Sequence, residues 1–154
     1  MSAIESYAEP ERLPTGEAAR FARLLNLRGA DGFTDLKLAH SVARGLPASA
    51  VSAVADMLAA TVVARLVPEA TLRRARQARK PLSREHSERL YDVARVLDAV
   101  GRAYHGDRAR VDGFLNRPHP LLDGETPLDL AVSSSAGAEA VLNLIERADA
   151  GVAV

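Results

Sequence analysis

Apolar side chains recur along this chain at helical spacing, and no run alternates long enough with polar residues to make a strand. The pattern predicts a helix from near Thr15, with Phe21, Leu24 and Leu25 on one face and Gly29 and Gly32 punctuating its end. Thr34 is placed to cap a second helix, whose apolar positions Leu36, Leu38, Ala39, Val42 and Ala43 run to Gly45. After the break at Gly45-Leu46-Pro47, Ser49 opens a third, with Val51, Val54, Ala55 and Leu58 at i, i+3, i+4 and i+7. Val62, Val63, Leu66 and Val67 carry the pattern on to Pro68. Ser83 caps the longest predicted helix, Arg84 to His105, where Leu90, Val93, Leu97, Val100 and Tyr104 share a side and Gly106 is the stop. Asp107 opens a short helix ending near Leu115 or Asn116, and Thr126-Pro127 is a cap followed by proline at the first helical position. The last helix, Ser135 to Ala148, points Val141, Leu142, Leu144, Ile145 and Ala148 inward, with Gly151 beyond its end. Pro10 and Pro14 discourage regular structure in the first 14 residues, which read as a frayed arm. The fold class is all-α.

Composition narrows this further. A chain of 154 residues that is 47% hydrophobic suits one compact domain, or two small modules sharing a core. The absence of cysteine excludes disulfides and thiolate metal sites. No stretch approaches the roughly 18 to 20 apolar residues of a membrane span, and the polar, acidic start lacks a signal-peptide pattern. A soluble, cytoplasmic protein is expected.

The motifs of catalysis and nucleotide binding are missing, including G-x-G-x-x-G, the P-loop, G-x-S-x-G and H-E-x-x-H. His40, His86, His105 and His119 lie in different segments, and His119 between two prolines reads as a turn residue. Ser133-Ser134-Ser135 precedes a helix, where hydroxyls serve as caps rather than nucleophiles. Glu85 and Glu88 fall among arginines on a solvated face. A non-enzymatic protein without metal or cofactor is the expectation.

Charge is informative in its distribution. The chain is neutral overall, yet residues 65–110 hold 12 Lys/Arg against 6 Asp/Glu, and residues 111–154 hold 2 against 7. Either two partners of opposite charge are involved, or arginine is simply common in this chain. The basic stretch places Thr71, Leu72, Arg73, Arg74, Arg76, Arg79 and Lys80 on a short helix after Pro68, behind two apolar helices. That layout suits a helix-turn-helix in which Thr71, Arg73, Arg74, Arg76, Arg79 and Lys80 reach phosphate or base. A solvated basic face is the equal alternative. The second constellation is the block Phe114 to Leu130, a turn system fixed by Pro118, Pro120, Gly124 and Thr126-Pro127. Leu121, Leu122, Leu128 and Leu130 crowd into it, either facing outward together as a docking surface or closing the core.

Read in order, Gly45-Leu46-Pro47, Thr71-Leu72 with its arginines, Pro81-Leu82-Ser83, Ser87-Glu88-Arg89-Leu90, Gly106-Asp107, Phe114-Leu115, Asn116-Arg117-Pro118 and Leu121 to Leu130 resemble the Xre/MbcA/ParS antitoxin family. The resemblance spans roughly residues 45 to 151 and is most specific from Leu121 to Leu130, in a Leu-Asp/Asn-Gly-x-Thr-Pro pattern. Phe114 stands where Trp is expected, a change that keeps a core role. The resemblance implies an N-terminal Xre-like helix-turn-helix module packed with a C-terminal helical toxin-binding domain. The partner it implies is a RES-domain toxin that degrades NAD or uses it for ADP-ribosylation. The antitoxin would cover the toxin's active site, and would also repress its own operon by binding operator DNA.

On this reading residues 1–33 are an arm and helix of unassigned role, 34–105 the helix-turn-helix-like module with the long helix, and 106–154 the toxin-binding domain. The expected toxin contacts are Leu121, Leu122, Gly124, Thr126, Pro127, Leu128, Leu130, Glu146 and Gly151, with Glu146 to Val154 reaching into the NAD pocket. A homodimer within a toxin–antitoxin complex is expected. Removal of residues 1–33 is expected to leave toxin binding largely intact, and a chain ending at Arg110 to lose it. The competing reading is a stand-alone transcriptional regulator whose C-terminal domain only dimerises.

Overall fold

The computed structural model describes residues 2–149 and 151. Among them it contains no strand and nine α-helices: α1 (Glu17–Leu24), α2 (Asp35–Arg44), α3 (Ser49–Ala55), α4 (Ala60–Leu66), α5 (Glu69–Ala78), α6 (Arg84–Ala103), α7 (Arg108–Asn116), α8 (Pro127–Ser133) and α9 (Ser135–Asp149). Local chemistry starts several of them. The side chains of Thr34, Ser83, Asp107 and Thr126 each accept the backbone N–H three residues on, at 3.1, 3.1, 3.3 and 3.1 Å. Each cap satisfies a donor that the first helical turn leaves free. Among the described residues no helix is long and apolar enough to cross a membrane.

The long helix α6 is the axle of the molecule. Leu90, Val93, Leu97 and Val100 are fully buried along it. The helices α1, α2, α3 and α4 pack on it, and so do α7, α8 and α9. One contiguous hydrophobic core results, from Ile4 to Ile145. The ranges 34–105 and 106–154 therefore meet through a shared helix.

The first 14 residues depart from the frayed arm that the prolines suggested. They form two short 3₁₀ turns, Ile4–Ala8 and Pro10–Arg12, that bury Ile4 and Tyr7 against α6. The prolines forbid a continuous α-helix but not these tight turns, and Ile4 and Tyr7, three apart, fall on one side. Gly106 makes the fit possible. Its φ is +73°, and a Cβ there would lie 2.8 Å from the Ile4 carbonyl oxygen and 2.7 Å from the Ala8 nitrogen. Beneath this segment the Tyr7 hydroxyl donates to Asp98 Oδ1 at 2.6 Å. Arg20 Nε donates to the same oxygen at 2.9 Å, and Arg102 Nε reaches Oδ2 at 3.1 Å. Asp98 is 1% exposed.

The inward faces are otherwise as the periodicity gives them, with five exceptions on three helices. On α2 only Leu38 and Val42 are buried, while Leu36, Ala39 and Ala43 face solvent. Ala55 and Ala148 are also exposed. Alanine and a lone leucine score as apolar in any periodic pattern, but they do not demand burial as a row of large side chains does.

Candidate functional site

Two surfaces carry the residues of interest. The first is built by α4 and α5, which are joined by the two-residue turn Val67-Pro68. Leu66 and Val67 are buried and anchor the turn, and Leu72 and Ala75 pack the inner side of α5 on the core. The opposite side presents Arg73, Arg74, Arg76, Arg79 and Lys80, all exposed, with Thr71 half-buried near the start of the helix. Among the described residues none of these five cations is in an ion pair. Two of them have polar contacts within the protein. Arg76 donates to Ser52 Oγ on α3 at 2.8 Å, and Arg74 reaches Thr71 Oγ1 at 3.4 Å. The cations also rim a shallow cleft against Pro47 and Pro81, to which Arg76, Arg79 and Lys80 contribute. Two consecutive helices joined by a short turn thus leave an unneutralised cationic face on the second, suited to phosphates.

The second surface is the loop between α7 and α8, closed by its own backbone. His119 N–H donates to the Glu125 carbonyl at 3.0 Å, and Leu122 and Gly124 both donate back to the His119 carbonyl at 3.0 Å. His119 Nδ1 accepts the Leu121 N–H at 3.1 Å, so this histidine is a turn residue. Asp123 and Gly124, at φ +55° and +80°, turn the chain, and Glu125 N–H closes onto the Leu122 carbonyl at 3.0 Å. Two successive positive φ values make a tight reversal that favours Asp-Gly.

That reversal corrects one expectation. Leu121, Leu122, Leu128 and Leu130 do not face outward together. Leu121 is 52% exposed, whereas Leu122 and Leu128 are 8% and 4% exposed and Leu130 is half-buried. The turn sends Leu122 beneath the loop, and the helical period of α8 places Leu128, Ala131 and Val132 on its core side. Pro127 is buried too. Gly124 is exposed, Thr126 is spent on its cap, and Glu146 and Gly151 are exposed on and after α9. Ala150 and residues 152–154, expected to reach a partner's pocket, lie outside the described residues.

Residues 37–95 match the model of the antitoxin Xre-like helix-turn-helix domain, and residues 100–151 match that of the antitoxin Xre/MbcA/ParS C-terminal toxin-binding domain. The chain belongs to this antitoxin family. No curated protein matches it.

In this antitoxin the helix-turn-helix and toxin-binding halves touch directly as well as through α6. Arg65 on α4 donates to Asp129 on α8 at 2.8 Å. That hydrogen bond, followed by the one from Thr126, holds the Asp129 carboxyl below the usual carboxylate range. Both side chains are about half exposed, so the pair is a weak strut rather than a lock. The serine run acts as expected. Ser134 Oγ accepts the Gly137 N–H at 2.9 Å and Ser133 Oγ donates to the Leu130 carbonyl at 2.7 Å. Glu85 and Glu88 pair with Arg89 and Arg84 along the exposed face of α6. Sequence reading missed the Arg65–Asp129 pair and the Asp98 site. An i, i+4 arginine, Arg102, was the one local signal for the latter.

Proposed function

We propose that this antitoxin neutralises a RES-domain, NAD-consuming toxin by covering its active site, and that it represses its own operon through α5. The observation that carries the reading is the loop from Arg117 to Thr126. It is a backbone-locked turn within the toxin-binding domain, with one large apolar side chain, Leu121, at its exposed tip. Leu122, Pro127, Leu128 and Leu130 then act from below, by fixing the shape on which Leu121, Gly124 and Glu125 are displayed. The excess of acid in residues 111–154, 7 Asp/Glu against 2 Lys/Arg, complements a pocket shaped to receive the phosphates of a dinucleotide. Glu146 and Gly151, exposed on and after α9, would add to the contact. The inhibition would be steric. For DNA, the support is the cationic outer side of α5, with Arg73, Arg74, Arg79 and Lys80 free of carboxylate partners among the described residues. A homodimer within the toxin–antitoxin complex completes the reading. The alternative of a regulator whose C-terminal domain merely dimerises gives Leu121 and the toxin-binding match no role.

The test is co-expression with the neighbouring toxin-sized gene product, co-purification, and an assay of NAD consumption by that partner alone and in complex. A stable complex in which NAD consumption stops is the expected result. A partner that leaves NAD untouched would overturn the RES assignment while leaving the antitoxin family standing.

A further inference from the structure

Two large apolar side chains stand out on the described surface, Leu121 at 52% and Leu36 at 65% exposure. The toxin-binding reading accounts for the first and not for the second. Leu36 begins a stripe on the outer side of α2 that continues through Ala39 and Ala43, both exposed. The spacing i, i+3, i+7 is the a–d–a seam of a heptad, and the two alanines leave room for a second helix to come close. The inner side of α2, with Leu38 and Val42, is already used by the core, so the stripe is surplus to the fold. It borders a groove of about 640 Å³ between α1, α2 and α6, with Phe21 and Tyr91 among its walls.

The flanks of the stripe differ in charge. With Leu36 at a, Asp35 falls at g and His40 at e, and the cations Lys37 and Arg44 lie on the His40 side. On the other side Asp35, Glu17, Glu88 and Asp92 line the groove together with one cation, Arg84. Glu88 pairs with Arg84 and Asp92 with Arg95, which leaves Asp35 and Glu17 as the acids without an ion pair there among the described residues. A two-fold axis parallel to α2 sets the acidic flank of each copy against the basic flank of the other. An antiparallel arrangement would instead oppose like flanks. Parallel packing also pairs Leu36 with Leu36 and Ala39 with Ala39, and brings Asp35 within the usual g-to-e reach of the partner copy's His40.

We infer that a second copy of this chain docks on the Leu36–Ala39–Ala43 face, α2 against α2 in parallel, and that this is the homodimer contact. The inference rests on the homodimer reading above and adds where the contact lies and in which direction the helices run.

The chain has no cysteine, which makes the test direct. Sedimentation of the full chain over a range of concentrations is expected to show a dimer, and Leu36→Asp a monomer with unchanged helical circular dichroism, because the position is exposed. Leu36→Cys under mild oxidation with copper phenanthroline is expected to give a covalent dimer, and Gln77→Cys, on exposed α5, none. A dimer that survives Leu36→Asp would place the contact elsewhere and overturn the inference, with homodimerisation intact. Dissociation of Leu36→Asp without cross-linking of Leu36→Cys would overturn the parallel register. A wild-type monomer at every concentration would overturn both the inference and the homodimer reading.

Discussion

Three donors meet at Asp98 from three parts of the chain: Tyr7 in the N-terminal turns, Arg20 on α1 and Arg102 on α6. A buried carboxylate is tolerated only while such partners replace its lost water. Asp98→Ala would strand the buried Arg20 guanidinium and is expected to cost about 3–5 kcal/mol in chemical denaturation. Tyr7 offers a subtler reading. Burial first, then the charge of Asp98 and the hydrogen bond to it, raise the Tyr7 hydroxyl far above its ordinary value of 10.0. The folded protein thus keeps a proton that the unfolded chain releases near pH 10, roughly the unperturbed tyrosine value. The contribution is complete below that pH and is lost as pH rises toward the folded value. Tyr7→Phe should lose about 1.5–3 kcal/mol at neutral pH, the worth of a hydrogen bond to a charged group. It should also flatten the fall in stability above pH 10, apart from the part due to Tyr91, which burial likewise raises. An alkaline decline identical to wild type would refute the assignment. None of this was legible in the sequence beyond Arg102. Tyr7 and Arg20 lie 91 and 78 residues from Asp98, and on an arginine-rich helix one aspartate looks like any other. Leu97, by contrast, was legible, because its burial follows from the period of α6 alone.

Helices and turns were readable where local chemistry decides them. Thr34, Ser83, Asp107 and Thr126 cap as their residue types suggest, and Asp123-Gly124 turns as such a pair should. What the sequence could not give was the direction in which the turn sends its leucines, since that depends on where α7 and α8 sit against α6. The distinction now has a measurable form. Leu121→Asp should leave the melting temperature nearly unchanged and weaken the toxin complex by about 2 kcal/mol or more, as an interface anchor does. Leu128→Asp should unfold the protein, because it buries an unpaired charge. Equal toxin affinity for Leu121→Asp would move the anchor to another part of the domain. On α5, Arg73→Gln with Arg74→Gln should abolish promoter binding and spare toxin neutralisation. If weak binding persists, its salt slope should be shallower by about 0.9 for each phosphate that the variant no longer neutralises. Undiminished promoter binding by the double variant would place DNA recognition elsewhere.

For the whole molecule, the N-terminal fifth has changed its standing. A chain lacking residues 1–33 would lose Ile4, Tyr7, Phe21, Leu24 and Leu25 from the core, each worth roughly 1.5–3 kcal/mol when fully buried. It should melt well below wild type or fail to accumulate, contrary to the expectation that this segment is dispensable. A truncated chain that melts like wild type and still protects against the toxin would restore that expectation. A chain ending at Arg110 should lose protection as well. It also strips α8 and α9 from α6, so the point variant Leu121→Asp is the cleaner witness to toxin contact.

The seam between the two family matches falls at residues 96–99, inside α6, beside the buried Leu97. A chimera joined there would splice halves of two unrelated cores along a single helix. Exchanging only α4 and α5 leaves α6 whole, but it replaces the buried Leu66 and Val67 as well as the Arg65–Asp129 strut, so those contacts must be kept. The exposed cations of α5 can thus be exchanged as surface residues, whereas the toxin-binding half travels only with the helix on which it is mounted.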